Sequence, residues 1–295
     1  YIGHPNRKLE TNILLAFIDE VAECGIKSLL FAGEGEPLLH SDLDKFVIHA
    51  KNRAIDVGIF TNGYLLKEAV AEKILPCLTF IRFSFNGGSA ENYAKIHKAG
   101  AEVFDKVLKN IEIVVKLKEE KKLDLDVGCQ YVLLPENKDY LVDAVKTLAA
   151  TGVDYFAIKP FVQQNSLQSY QMDKNFNLDT ISEALSKAEK YSNENFKVIA
   201  RWESFKDYGK KNYKHCYGTS FISALNSAGE IATCLPYWDK EEFVFGNIYK
   251  NSFKDIWLGD RRRKIKEFLE AGLDTNTCPP NCRPNAVNEF LWEIK

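Results

Sequence analysis

Two groups of residues in this 295-residue chain have the types and spacing to do chemistry. The first is FAGEGEP at positions 31–37, which comes directly after the apolar run 26–30. Two glycines, two acids and a proline neither continue a strand nor open an ordinary helix. They turn the chain and expose backbone amides and carbonyls beside Glu34 and Glu36 at the carboxyl end of a strand. In a chain of repeating β/α units that end is where ligands are held. For a lone G-x-G a tight turn with solvated acids is the plainer reading, and the order of the strands and motifs after residue 37 weighs against it. The second group is Cys216, Cys234, Cys278 and Cys282, spaced C-x17-C, then 43 residues, then C-x3-C. Four thiolates from a hairpin and a distant loop can make a closed, all-cysteine site. Zinc is the plainer alternative, but four-cysteine zinc sites use short C-x2–4-C pairs, and only Cys278 and Cys282 form one. The remaining Cys24, Cys77 and Cys129 stand alone in helical or strand patterns and read as small buried hydrophobes.

Alternating elements are needed to position these groups. Helical periodicity covers 9–24, with Ile13, Leu14, Phe17, Ile18 and Val21 on one face. Gly25 closes it before the strand 26–31. Ser41 and Asp42 can cap a helix reaching 51, and a strand at 55–60 ends in TNG. A helix at 66–75, a strand at 78–85, a long helical stretch at 90–121 broken near Gly100, a strand at 123–134, a helix at 140–150 and a strand at 153–158 come next. Five strands alternating with helices specify an α/β chain with a parallel sheet. Asn62, Ser84, Asn86, Gln130 and Lys159 recur at the same strand ends as Glu34 and Glu36, as a one-sided barrel site requires. Periodicity alone does not separate a barrel from an open doubly wound sheet, but no G-x-G-x-x-G opens a helix. A polar stretch at 161–176 reads as a long loop, with a helix at 179–191 and a strand at 196–202 after it. Beyond 207 the character changes to a hairpin over Ser227-Ala228-Gly229 and helices at 253–258, 261–270 and 284–294.

Composition narrows the function. With 39 basic against 41 acidic residues the chain is nearly neutral, which argues against a broad nucleic-acid or membrane surface. The run Arg261-Arg262-Arg263-Lys264 is flanked by acids and reads as a solvated helix face. No signal peptide or membrane-spanning apolar run is visible, so a cytoplasmic protein is expected. The chain starts at Tyr1 and its one methionine is Met172, so a preceding N-terminal piece is expected.

The motifs taken together resemble the radical S-adenosylmethionine (SAM) superfamily. FAGEGEP is similar to its "GGE" motif at the end of the second strand. TNG after the third strand, IRFSFN on the fourth and YAKIH at 93–97 are similar to its later motifs, in its order. Phe245-Gly246-Asn247-Ile248 and SFKDIW at 252–257 resemble the twitch or SPASM extension of the same superfamily. The superfamily's C-x3-C-x2-C is absent here. A catalytic enzyme whose cluster loop is not in this sequence and a degenerate relative without that cluster are the two readings of that departure.

The resemblance implies a partial (β/α)6 barrel over 1–165, lacking its first strand and cluster loop, barrel-closing elements and linker at 166–210, and a small α+β twitch domain at 211–295. It implies that Glu36, with Gly33, Glu34 and Gly35, holds the methionyl amino group. Ser84, Asn86 and Gln130 would serve the ribose or carboxylate, Lys95 would pair with the methionyl carboxylate, Lys159 is a candidate substrate or SAM contact, and Asn62 is a further cofactor-site candidate. Cys216, Cys234, Cys278 and Cys282 would hold an auxiliary [4Fe–4S] cluster, and a second [4Fe–4S] cluster would sit in the barrel on residues outside this sequence. The implied activity is reductive SAM cleavage, with the 5′-deoxyadenosyl radical taking hydrogen from a small sugar-like or cyclitol substrate in an oxidation or epimerisation. The cysteine spacing is similar to that of a twitch enzyme that oxidises 2-deoxy-scyllo-inosamine. Peptide modification is the alternative, and a non-catalytic SAM- or metal-binding relative is another. An electron donor such as flavodoxin or ferredoxin would be the partner; no nucleic acid or membrane partner is expected.

Overall fold

The computed structural model describes residues 6–33, 35–161, 178–206, 211–238, 240–279 and 282–295. They form two compact units, one of residues 27–161 and 178–206, the other of 6–26 and 211–295. Of the loop expected at 161–176, all but Phe161 lies outside the described residues.

The first unit is a sheet of six strands, β1 (Ser28–Phe31), β2 (Asp56–Thr61), β3 (Phe80–Ser84), β4 (Asp126–Leu133), β5 (Tyr155–Pro160) and β6 (Lys197–Ala200). All pairings are parallel, and spatial order follows chain order. A doubly wound sheet reverses direction at a switch point, whereas a barrel adds each strand on the same side of the last. The strand order therefore resolves what periodicity left open, in favour of a partial barrel. The helical stretch expected at 90–121 is two helices, Ala90–His97 and Glu102–Lys121, the first begun by Ser89, whose Oγ accepts from the Asn92 amide at 3.2 Å. Asp42 precedes the helix Leu43–Asn52 without a capping bond, its carboxylate taken by Lys45 at 2.8 Å.

Alternation gives the sheet two unlike faces. Ile59, Ile81, Phe83, Val127, Cys129, Tyr131, Phe156 and Ile158 fill one and are wholly buried. Phe60, Arg82, Ser84, Gln130 and Lys159 stand on the other, half-buried. That second face depends on two glycines. A Cβ at Gly58 would lie 2.3 Å from the Phe80 ring, and one at Gly128 would lie 2.0 Å from the ring of Tyr155. Each ring lies flat across its neighbouring strand because no side chain is there.

The second unit carries a three-stranded antiparallel sheet, β7 (Ala224–Leu225), β8 (Glu230–Ala232) and β9 (Val244–Asn247). Its hairpin turns at Gly229 (φ +80°), with the Asn226 Oδ1 accepting from the amides of Ala228 and Glu230, each at 3.0 Å. Helix Thr11–Glu23 belongs to this unit: Phe17 meets Phe253 edge-on at 5.6 Å, and the Glu20 carboxylate accepts the Phe253 backbone N–H. Three sequence expectations need correcting. Cys24 is exposed at the end of that helix and Cys77 is only part-buried, so of the three isolated cysteines Cys129 alone is a core residue. The basic run is not merely solvated, since Arg262 stacks 3.5 Å over the Trp257 ring and Arg261 donates to the carbonyls of Val244 and Glu241 at 2.6 and 2.7 Å. Strand β9 and helix Trp202–Lys206 carried no separate signal, being too short to show a period.

Candidate functional site

At the carboxyl end of the parallel sheet, the turn after β1 runs through Gly33 at φ +136°, a conformation that side chains other than glycine rarely adopt. Gly35 beyond it is open on its Cβ side, and Glu34 lies outside the described residues. Glu36 reaches across to β2. Its Oε1 accepts from Thr61 Oγ1 at 2.6 Å and from the Leu38 amide at 3.1 Å, and its Oε2 accepts from the Asn62 amide at 2.7 Å. A carboxylate takes about four hydrogen bonds, so one acceptor position is left on a group fixed in place by three donors. The TNG turn behind it is itself held: Asn62 Oδ1 accepts from the Tyr64 amide at 2.9 Å, and Asn110 Nδ2 donates to the Gly63 carbonyl at 2.7 Å.

Ser84 and Gln130 are register partners on β3 and β4, and Lys159 lies on the same face of β5, paired with Val132. Asn86 is less free than expected: its Oδ1 accepts from the Val132 amide at 2.8 Å, leaving its amide hydrogens to face outward. Lys95 is exposed on helix Ala90–His97, without a polar partner among the described residues. The structure thus groups Glu36 with Asn62, and Ser84 with Gln130 and Lys159, and leaves Lys95 apart.

Three supporting residues escaped the sequence reading. Asn137, wholly buried, donates to the carbonyls of Asn86 and Val132, each at 3.0 Å, and accepts from the Leu134 amide at 2.8 Å. Asn92 joins the Glu136 carbonyl at 3.1 Å to the Gly88 amide at 3.4 Å. His97, the last residue of the YAKIH motif, stacks on Tyr93 at 4.0 Å and accepts the Asn86 amide on Nε2 at 3.3 Å. Burial lowers the His97 pKa from 6.5 to about 4. The unfolded chain therefore takes up a proton below pH 6.5 that the folded chain refuses, so this stabilisation is full above 6.5 and is lost as pH falls towards 4. Unfolding by denaturant at pH 7 and pH 4.5 is expected to show a loss of up to about 3 kcal/mol that His97→Gln flattens; an equal loss in both proteins overturns the assignment.

The four late cysteines gather in the second unit. The charge of Cys216 is felt at Cys234, Cys278 and Cys282, which places all four in one locality. Burial pushes the Cys234 thiol up to about 12 and raises Cys278 and Cys282, Lys211 opposing the rise at both. Each sulfur has its own polar contact. Asn288 Nδ2 donates to Cys216 at 3.4 Å, Thr233 Oγ1 to Cys234 at 3.6 Å and the Tyr237 hydroxyl to Cys278 at 3.7 Å. Cys282 meets the Tyr213 hydroxyl at 3.8 Å and the Lys211 ammonium at 3.9 Å. Cys234 and Cys278 also pack against the apolar cluster of Tyr237, Phe243 and Leu269. Among the described residues no three His, Cys, Asp or Glu side chains converge on one metal-ion position. The set fits a cluster that offers each thiolate its own iron, with sulfur hydrogen bonds of the kind that set cluster potentials.

A profile of the radical SAM superfamily matches residues 2–148, and a SPASM iron–sulfur cluster-binding domain matches 216–284. The GTP 3′,8-cyclase of Nautilia profundicola is 31% identical over 257 residues, 81% of this chain and 76% of that enzyme. This chain belongs to the radical SAM superfamily. The PqqA peptide cyclase of Granulibacter bethesdensis is 25% identical over 97% of this radical SAM chain and 73% of its own length. The structure of Streptococcus suis SuiB bound to S-adenosylmethionine shares the fold, with a TM-score of 0.70 at 14% identity, over 90% of this chain. The chain spans 63% of the SuiB chain. This radical SAM enzyme with a SPASM domain takes SAM and [4Fe–4S] clusters as cofactors. No described helix is long and apolar enough to cross a membrane.

Proposed function

We propose that this radical SAM enzyme modifies a peptide, with Glu36 holding the methionyl amino group and Cys216, Cys234, Cys278 and Cys282 holding the auxiliary cluster. The match that runs through both units to a peptide cyclase, over 97% of the chain, carries the substrate reading. SAM bound at the barrel mouth would supply a carbon radical on reductive cleavage, with electrons from a donor such as flavodoxin or ferredoxin. This chain's part is positional. Glu36 presents its free lone pair to an ammonium, Ser84, Gln130 and the Asn86 amide offer hydrogen bonds along the mouth, and His97 and Asn137 hold the β3 end in place. In the second unit Cys216, which is buried, and Cys234, Cys278 and Cys282, which are part-buried, would hold the cluster as thiolates, their protons released to solvent. The neutral and cationic donors around the sulfurs would offset the charge gained.

Abstraction from a sugar-like or cyclitol carbon, giving oxidation or epimerisation, is the second reading. It is favoured by the four cysteines from 216 onward, whose thiolates would leave no open iron and suit electron transfer. The test is mass spectrometry of two reactions with reductant and SAM: incubation with a panel of short peptides, and incubation with a panel of aminocyclitols. A peptide lighter by two hydrogens is expected; oxidised cyclitol with unchanged peptides overturns the peptide reading in favour of the second.

A further inference from the structure

The half-buried face of the parallel sheet carries a group of donors that no described residue answers. Arg82, in the middle of β3, is surrounded by aromatic rings. Its guanidinium carbon lies 4.7 Å from the centroid of Phe60, 5.4 Å from that of Tyr155 and 5.8 Å from that of Phe80. Its Nε donates to the Tyr155 hydroxyl at 2.9 Å, which Tyr155 can reach because its ring lies over Gly128. The two terminal nitrogens have no hydrogen-bond partner among the described residues, and neither is sealed from solvent. Tyr155, having accepted from Arg82, keeps its own hydroxyl proton to give. Arg201, directly after β6, is near enough for the Arg82 charge to lower its pKa, after the larger effect of burial, although the side chain as a whole is exposed. Tyr155 pairs with Lys197, and the ladder continues past Ala200 in the Arg201 amide, which donates to the Ile158 carbonyl at 3.0 Å. Alternation therefore puts Arg201 on the face of Tyr155 and Arg82, and no described carboxylate bridges the two guanidinium groups.

Like charges are brought together on a half-buried surface at a cost unless an anion completes the set. A guanidinium whose fork is free and which is held among aromatic rings with its Nε bonded to a phenol is preorganised for the two oxygens of a carboxylate or phosphoryl group. We propose that Arg82, Tyr155 and Arg201 form an oxyanion-binding subsite on the inner face of the sheet, which takes a carboxylate or phosphoryl group of the substrate. Arg82 stands two residues before Ser84, so its position lies about 7 Å below the strand ends, under the groups assigned to SAM, while Arg201 follows the end of β6. It rests on side chains of this unit alone and holds whether the substrate is a peptide or a sugar.

The test is titration calorimetry of the full chain with inorganic phosphate and with succinate at constant ionic strength. Binding in the millimolar range is expected for at least one of them, and the tighter of the two identifies the group the site prefers. Arg82→Gln and Arg201→Gln should each weaken it about tenfold or more. Arg82→Lys, which keeps the charge and stem but loses the fork, should fall between. Lys187→Gln, at an exposed helix position paired with Glu183, should bind like wild type. The proposal fails if neither anion binds wild type, if Arg82→Gln and Arg201→Gln bind within twofold of wild type, or if Lys187→Gln weakens binding as much as they do. Should Arg82→Gln not fold, Arg82→Lys and Arg201→Gln carry the same decision.

Discussion

Alanine in place of Glu36 is expected to abolish reductive cleavage of S-adenosylmethionine while the parallel sheet stays folded. The carboxylate links the turn after β1 to the turn after β2, through Thr61 Oγ1 at 2.6 Å and the Asn62 amide at 2.7 Å. The carboxylate itself is only part-buried, so the Asn62 amide and Leu38 amide that it releases can turn to water. The stability cost is therefore on the order of 1–2 kcal/mol, a fraction of what a buried vacancy would cost. The cost to ligand binding is larger. A charged hydrogen bond to an ammonium is worth about 1.5–3 kcal/mol, and the loosened turn would no longer hold Gly33 and Gly35 in the conformation that presents their backbone. Formation of 5′-deoxyadenosine under dithionite, measured by chromatography, should fall at least about a hundredfold, with the melting temperature changed by only a few degrees. Glu36→Gln sharpens the test, because it keeps the size and one carbonyl acceptor but must aim an NH2 at one of three donors. Its cleavage rate should sit near that of alanine. Native cleavage by either variant would show that the carboxylate serves only the turn.

Cys234→Ala and Cys282→Ala should each lose the auxiliary cluster, seen as about four fewer irons and sulfides per chain after anaerobic reconstitution. Burial drives the Cys234 thiol up to about 12, so displacing its proton has a cost that ligation to iron would have to offset. Both variants should also melt lower, since metal binding contributes to folding where ligands come from separate segments. The discriminating quantity is the ratio of 5′-deoxyadenosine to product in protein that remains soluble. A cluster that accepts an electron from the substrate predicts a ratio well above wild type, because radicals are made and not converted. A cluster that only holds the unit together predicts that both quantities fall and the ratio holds. One tightly bound zinc and no labile sulfide in the wild-type protein would remove the cluster assignment altogether.

The contrast between these two sites shows what a one-dimensional pattern carries. Alternating helix and strand periods, with small polar groups after each strand, were enough to locate Glu36, Asn62, Ser84 and Gln130 at one end of a parallel sheet. They sufficed because a strand's carboxyl end is a local property, written in a few consecutive residues. The clustered cysteines marked the second site in the same way, by type and spacing. The sequence therefore determined the α/β class and which polar residues stand at the ends of the parallel strands.

Tertiary structure decided the rest. Strand order, and with it barrel over doubly wound sheet, depends on which edge each crossover returns to, and no residue pattern records that. Asn86 looks free in the chain, but β4 brings the Val132 amide to its side chain at 2.8 Å. Asn288 is 72 residues from the Cys216 sulfur it touches, and Tyr155 is 73 residues from Arg82. Periodicity reports which face a residue occupies, whereas a hydrogen bond between distant segments exists only once register and packing have set both partners within about 3–4 Å. Arg82 makes the difference plainest: alternation puts it on the inner face, and the missing Cβ at Gly128 lets the Tyr155 ring lie where its hydroxyl accepts from Arg82 Nε, the fork having no partner among the described residues.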